Sequence, residues 1–163
     1  MGNGKIKWPY QFFIRREEEL KKAVEQFFFL HYPTSRKDLE GKYISRTNAE
    51  DRQQIVKDLG KECFAEVLEE CPHLEYLKDP DIPFCFFFFF NSFLEIYNCC
   101  NETMTWTDIL SYAIMRKIDF RQTEIDYILK CNNWANAQIS KMRDEAEEDN
   151  VSTEESEAQT SVS

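Results

Sequence analysis

Six cysteines (63, 71, 85, 99, 100 and 131) and two histidines (31 and 73) are the residues whose types could support metal binding or nucleophilic work. Cys71, His73, Cys99 and Cys100 form the one set with metal-ligand character. Their spacing argues against zinc. A C-x-H step is not the usual two-cysteine knuckle, and two adjacent cysteines seldom ligate one ion in good geometry. Structural thiols are expected instead, with Cys63 and Cys85 as small core hydrophobes. His31 falls at the end of an apolar helix face and His73 in a Pro-bounded turn, so neither is placed as a general base. Asp58 with Glu62, and Glu66 with Glu70, each share a helix face, but on sides that should be solvated. A working carboxylate pair needs a cleft that shifts its pKa values. Hydrolase, zinc-protease and EF-hand motifs are absent. The four glycines, at 2, 4, 41 and 60, leave no P-loop and no dinucleotide fingerprint. The expectation is a protein that is not an enzyme and takes no metal or cofactor.

The elements that would position any site are helical. Long stretches without Gly or Pro favour helices and disfavour an all-β fold. Leu20, Val24, Phe27, Phe28 and His31 repeat at helical spacing and predict a helix over 15–31, ended by Pro33. Residues 1–14, with Lys5, Lys7, Trp8, Tyr10, Phe12 and Phe13 around Pro9, predict an extended basic and aromatic lead-in. Residues 32–46 read as a polar loop. Thr47 and Glu50 make a capping box for a helix over 48–70, with Ile55, Val56, Leu59, Cys63, Val67 and Leu68 as its apolar stripe. The run Phe84–Phe90 has no amphipathic period, and its continuation to Tyr97 favours a helix over 83–100, capped by Asp81. Thr105 with Asp108 caps a helix over 106–117, and Asp119 with Gln122 one over 121–131. Asn132 or Asn133 caps a last helix over 134–146, carrying Ala135, Ile139, Met142 and Ala146. The fold class expected is all-α: a compact bundle of five to six helices with a disordered acidic tail. The domain is 15–146, divided into a main bundle, 15–100, and a three-helix part, 105–146.

The 163 residues include 30 acids and 20 bases, for a net charge of −10. Residues 144–163 hold eight of those acids and no base, which leaves the body with 22 acids and 20 bases. Residues 147–163 lack aromatics and cannot bury enough surface to offset their ordering entropy, which predicts disorder. Their serines and threonines beside acids suit phosphorylation. The longest apolar run, Ile82 to Phe90, contains Pro83 and is far below the ~20 residues of a membrane span. No secretory signal is visible, and Ile6 stands where a myristoylation signal needs Ser or Thr. The expected location is the cytoplasm.

A helix apolar all round belongs at a bundle centre or turns half its surface to a partner. Phe86, Phe87, Phe89, Phe90 and Phe93 are therefore the candidate protein-interaction residues. Arg15, Arg16, Lys21 and Lys22 form a secondary electrostatic surface. The rival reading pairs residues 121–131 and 134–146 as a helix-turn-helix. Arg121, Asn136, Gln138, Lys141 and Arg143 would then contact nucleic acid, Asn and Gln reading adenine edges and Arg guanine. Charge disfavours it: segment 61–143 carries eight bases against thirteen acids. A protein partner or homo-oligomer is the expected association.

Residues 106–128, Trp106 through Tyr112, Lys117, Phe120 and Glu124 to Ile128, resemble the C-terminal helical part of small bacteriophage tail-assembly proteins. There a helix with an aromatic start is followed by a polar break and an acid-capped helix. The resemblance covers about 25 of 163 residues. It implies a chaperone-type assembly role and assigns no site residue.

Overall fold

The computed structural model describes residues 10–71, 74, 77–100 and 103–160. Among the described residues the protein is 76% helical, with six α-helices and a small two-stranded sheet. In order these are α1 (Tyr10–His31), β1 (Thr34–Lys37), β2 (Tyr43–Arg46), α2 (Asn48–Leu59) and α3 (Lys61–Glu70). A 3-10 turn (Phe84–Phe86) then leads into α4 (Phe87–Cys100), followed by α5 (Trp106–Arg116) and α6 (Gln122–Thr160). The residues group into two compact units, 1–24 with 80–134 and 25–79 with 135–163. Each unit thus draws on both halves of the sequence. Helix α1 starts earlier than expected, so 10–14 are helical rather than extended; residues 1–9 lie outside the described residues.

In the first unit the buried side chains follow helical spacing. They are Leu20 and Val24 on α1, Phe90, Phe93 and Ile96 on α4, Ile109 and Ala113 on α5, and Ile125 and Ile128 on α6. Helix α5 starts on the capping box read from the sequence: the Thr105 N–H donates to the Asp108 carboxylate at 2.7 Å, and the Asp108 N–H donates to the Thr105 hydroxyl at 3.4 Å. It ends on Lys117 in the left-handed region, φ 54 and ψ 44. The N–H of Ile118 donates to the Ala113 carbonyl at 2.9 Å and that of Lys117 to the Ile114 carbonyl at 3.3 Å. This double closure is the Schellman pattern, normally built on glycine. Two expected caps do not form. No side chain caps the Phe84 turn; instead the Phe86 N–H donates to the Pro83 carbonyl at 2.8 Å, so Asp81 is not a cap. At the start of α6 the cap position is Arg121 rather than Asp119, and Glu124 takes the role given to Gln122, its carboxylate accepting from the Arg121 N–H at 2.7 Å.

The second unit departs from the polar loop expected over 32–46. Residues 34–46 form an antiparallel hairpin, with Thr34 opposite Arg46 and Lys37 opposite Tyr43. Asp38 organises its turn: its carboxylate accepts from the N–H groups of Glu40 and Lys42, both at 2.9 Å, and Gly41 sits at φ +78. A left-handed glycine closing a three-residue loop is a favoured hairpin turn. The helix expected over 48–70 is two helices, broken at Gly60, whose φ 83 and ψ 152 suit only glycine. Helix α2 buries no residue, and Ile55 and Leu59 are exposed, so the expected stripe is not a core face; Phe64 is the buried residue of α3. Cys63, and Cys85 in the first unit, are exposed thiols rather than core residues.

Helix α6 is continuous through Cys131–Asn133, where a turn between two helices was expected. No Gly or Pro occurs from 122 to 160. Asn costs a mid-helix position only about 0.5–0.7 kcal/mol relative to Ala, too little to stop a helix held by packing. Cys131 and Asn132 are buried in its interior. The disorder expectation concerned 147–163; α6 is described as far as Thr160, and 161–163 lie outside the described residues.

Candidate interaction surface

The run from Phe84 to Phe93 divides between two environments. Phe86, Phe90 and Phe93 are buried, while Phe84 is 95%, Phe87 53% and Phe88 51% exposed. Phe89 is half-buried, its ring stacked on Tyr127 with centroids 6.2 Å apart. Of the five candidate phenylalanines, the structure thus places three inside, one half inside and one, Phe87, on the surface. Phe84 and Phe88, members of the run outside those five, join Phe87 on the surface. A signal for them was present further along the chain. Asn91, Glu95 and Asn98 are polar at i, i+4 and i+7, and all three are exposed. Carrying that polar face back by three, four and seven residues lands on Phe88, Phe87 and Phe84.

The exposed rings continue into a chain of aromatic contacts inside the first unit. Phe88 lies 6.1 Å from Phe120, and Phe120 stacks on Tyr112 at 6.3 Å and 13°. The Arg116 guanidinium stands 5.9 Å over the Tyr112 ring. One carboxylate fixes that end: Glu95 Oε2 accepts from the Tyr112 hydroxyl at 2.6 Å and from Arg116 at 2.9 Å. Burial, then the hydrogen bond to Glu95, pushes the Tyr112 phenol above its ordinary pKa. At the other end Lys130 donates to Glu17 at 2.7 Å and lies 5.4 Å over the Tyr127 ring; the Glu17 hydrogen bond raises the lysine pKa. On α5, Trp106, Leu110 and Ile114 add an exposed stripe at four-residue spacing.

The nucleic-acid candidates are not gathered on one face. Asn136 and Arg143, seven apart, share one side of α6; Gln138 and Lys141, three apart, share another. Lys141 is 3.8 Å from Glu145, and Arg143 donates to the Tyr32 hydroxyl. Arg121 precedes α6 in the first unit, whereas the other four belong to the second. Without a turn at 131–133 no helix-turn-helix is formed. Of the secondary cationic surface, Arg16 pairs with Glu19 at 2.9 Å, and Lys21 and Lys22 are exposed.

No group of three His, Cys, Asp or Glu among the described residues could hold a metal ion, and His73 of the zinc set lies outside them. His31 is exposed at the end of α1, its ring 4.6 Å from Phe27. The Cys131 thiol is pushed up to about 12 by burial, which removes it from thiolate chemistry near neutral pH. In the second unit a cleft of 430 Å³ is lined by Arg36 and Lys37 on the hairpin and by Glu145 and Asp149 on α6. Arg36 is committed there to Asp51 at 2.7 Å, to Thr34 at 3.0 Å and to Asn48. No helix among the described residues is long and apolar enough to cross a membrane. Comparison with known proteins gave no match to a family model, a curated protein or a solved structure.

Proposed function

We propose that the protein is a non-enzymatic interaction or assembly module whose contact face is built on Phe84, Phe87 and Phe88. The observation that carries this reading is the division of one phenylalanine run, over a 3-10 turn and the helix it leads into, between buried and exposed members. Core packing accounts for Phe86, Phe90 and Phe93 but gives no reason for three large apolar rings in water. Burying each against a partner would contribute about 1.5–3 kcal/mol. Together they expose on the order of 400 Å², about half of one partner's share of a standard interface. The chaperone-type assembly role implied by the 106–128 resemblance belongs to the same reading. So does a cytoplasmic location, which suits six free thiols.

The test is light scattering after size exclusion at low and high salt, with binding of an apolar reporter dye, on the full chain and on a Phe84→Ser/Phe87→Ser variant. The expected result is salt-resistant self-association or dye binding in the parent chain, lost in the variant. A salt-independent monomer whose dye binding is the same with both serines overturns the reading.

A further inference from the structure

Resting on that reading, we propose that the contact face continues from Phe88 across Phe120 and Tyr112 to Arg116, Lys117 and Arg121, and that it takes an acidic segment of a partner protein carrying an apolar side chain. Continuity is given by the ring contacts: Phe88 to Phe120, Phe120 to Tyr112, and Tyr112 to the Arg116 guanidinium, each near 6 Å. The phenylalanines alone are too small for a standard interface, and this extension supplies the missing polar side.

Charge gives the occupant. Lys117 and Arg121 are exposed, and no ion pair among the described residues uses either side chain. Arg116 is more than half exposed and uses one guanidinium nitrogen on Glu95, leaving further donors for a second carboxylate. Of the nearby acids, Glu95 is paired with Arg116 and holds Tyr112, Glu124 accepts the Arg121 N–H and Asp126 accepts from Gln122, while Asp119 is the exposed acid between the cations; none of these acids pairs with Lys117 or Arg121. Lys117 occupies a left-handed position that glycine fills with less strain. A single-stranded nucleic acid would need cations spaced along its backbone. Here three sit within six residues, which suits one short carboxylate-bearing segment.

The experiment is fluorescence polarisation on the full chain with three labelled probes. These are a short synthetic peptide of Leu and Phe flanked by Asp and Glu, its Asn/Gln counterpart, and an oligodeoxythymidine strand of similar length. The acidic peptide should bind in preference to the other two and weaken as salt rises. Lys117→Glu/Arg121→Glu should weaken it about tenfold, and Phe88→Ser should weaken it as well. Lys117→Gly separates binding from folding: it should raise the melting temperature while still weakening the acidic peptide. Equal affinity for the Asn/Gln peptide, indifference to charge reversal, absence of peptide binding, or preference for oligodeoxythymidine each overturns the proposal. The Phe84→Ser/Phe87→Ser test involves neither Lys117 nor Arg121, so it can succeed where this one fails.

Discussion

The two units differ in charge and in how they bury aromatics. Residues 1–24 and 80–134 hold ten bases and ten acids; residues 25–79 and 135–163 hold ten bases and twenty acids. The whole net charge of −10 therefore belongs to the second unit. Ten of the fourteen phenylalanines fall in the first unit and four in the second. A neutral, phenylalanine-rich unit is suited to close contact with another molecule, because little charge must be desolvated. A strongly acidic one favours solubility and repels anions. Ion pairs in the second unit serve its own geometry: Arg36 and Arg46 both reach Asp51 at 2.7 Å, and Arg52 meets Asp79 at 2.6 Å. The contrast teaches that exposed phenylalanine and net charge are separated along a chain of only 163 residues.

The largest expected effect separates core from contact within the aromatic unit. Phe93→Ala should cost about 3–5 kcal/mol, whereas Phe84→Ala should change stability by no more than about 0.5 kcal/mol. Urea denaturation of both variants checks this, and a large loss at Phe84 would place that ring in the core. Smaller, and in the acidic unit, Gly60→Ala should cost about 1–3 kcal/mol, because a Cβ is strained at φ 83 although nothing lies within 4 Å of it. An unchanged melting temperature would show that the α2–α3 junction adopts another conformation.

The smallest effect is a pH dependence in the aromatic unit. The hydrogen bonds from the Thr105 hydroxyl and N–H hold the Asp108 carboxyl below its ordinary value of 3.8. A depressed carboxylate stabilises the fold above its unfolded value, and that contribution is lost as pH falls through the folded one. Protection of the amides in the first turn of α5, taken against their intrinsic exchange rate at each pH, should therefore fall below pH 3.8. Asp108→Asn should flatten that dependence.

Helix content was legible because caps and apolar spacing are local. Both capping boxes, at Thr47 and Thr105, form where the sequence placed them. The hairpin was not read, although its determinants, Asp38 and Gly41, lie three residues apart. Their neighbours are charged and the strands are four residues each, too short for an alternating pattern. The break at 131–133 was expected on the preference of Asn for caps; packing around buried Asn132 overrides it. The surface members of the phenylalanine run were illegible from the run itself, since five identical residues carry no phase. Only Asn91, Glu95 and Asn98 supply one.

The six thiols also make the chain its own clock. Cys63, Cys85 and Cys99 are exposed and open to a thiol reagent at once, while Cys131 is sealed within α6. Its modification must wait until the surrounding helices part. The slow phase of labelling then counts openings of the first unit, and its rate converts to the free energy of that opening when reclosing is fast.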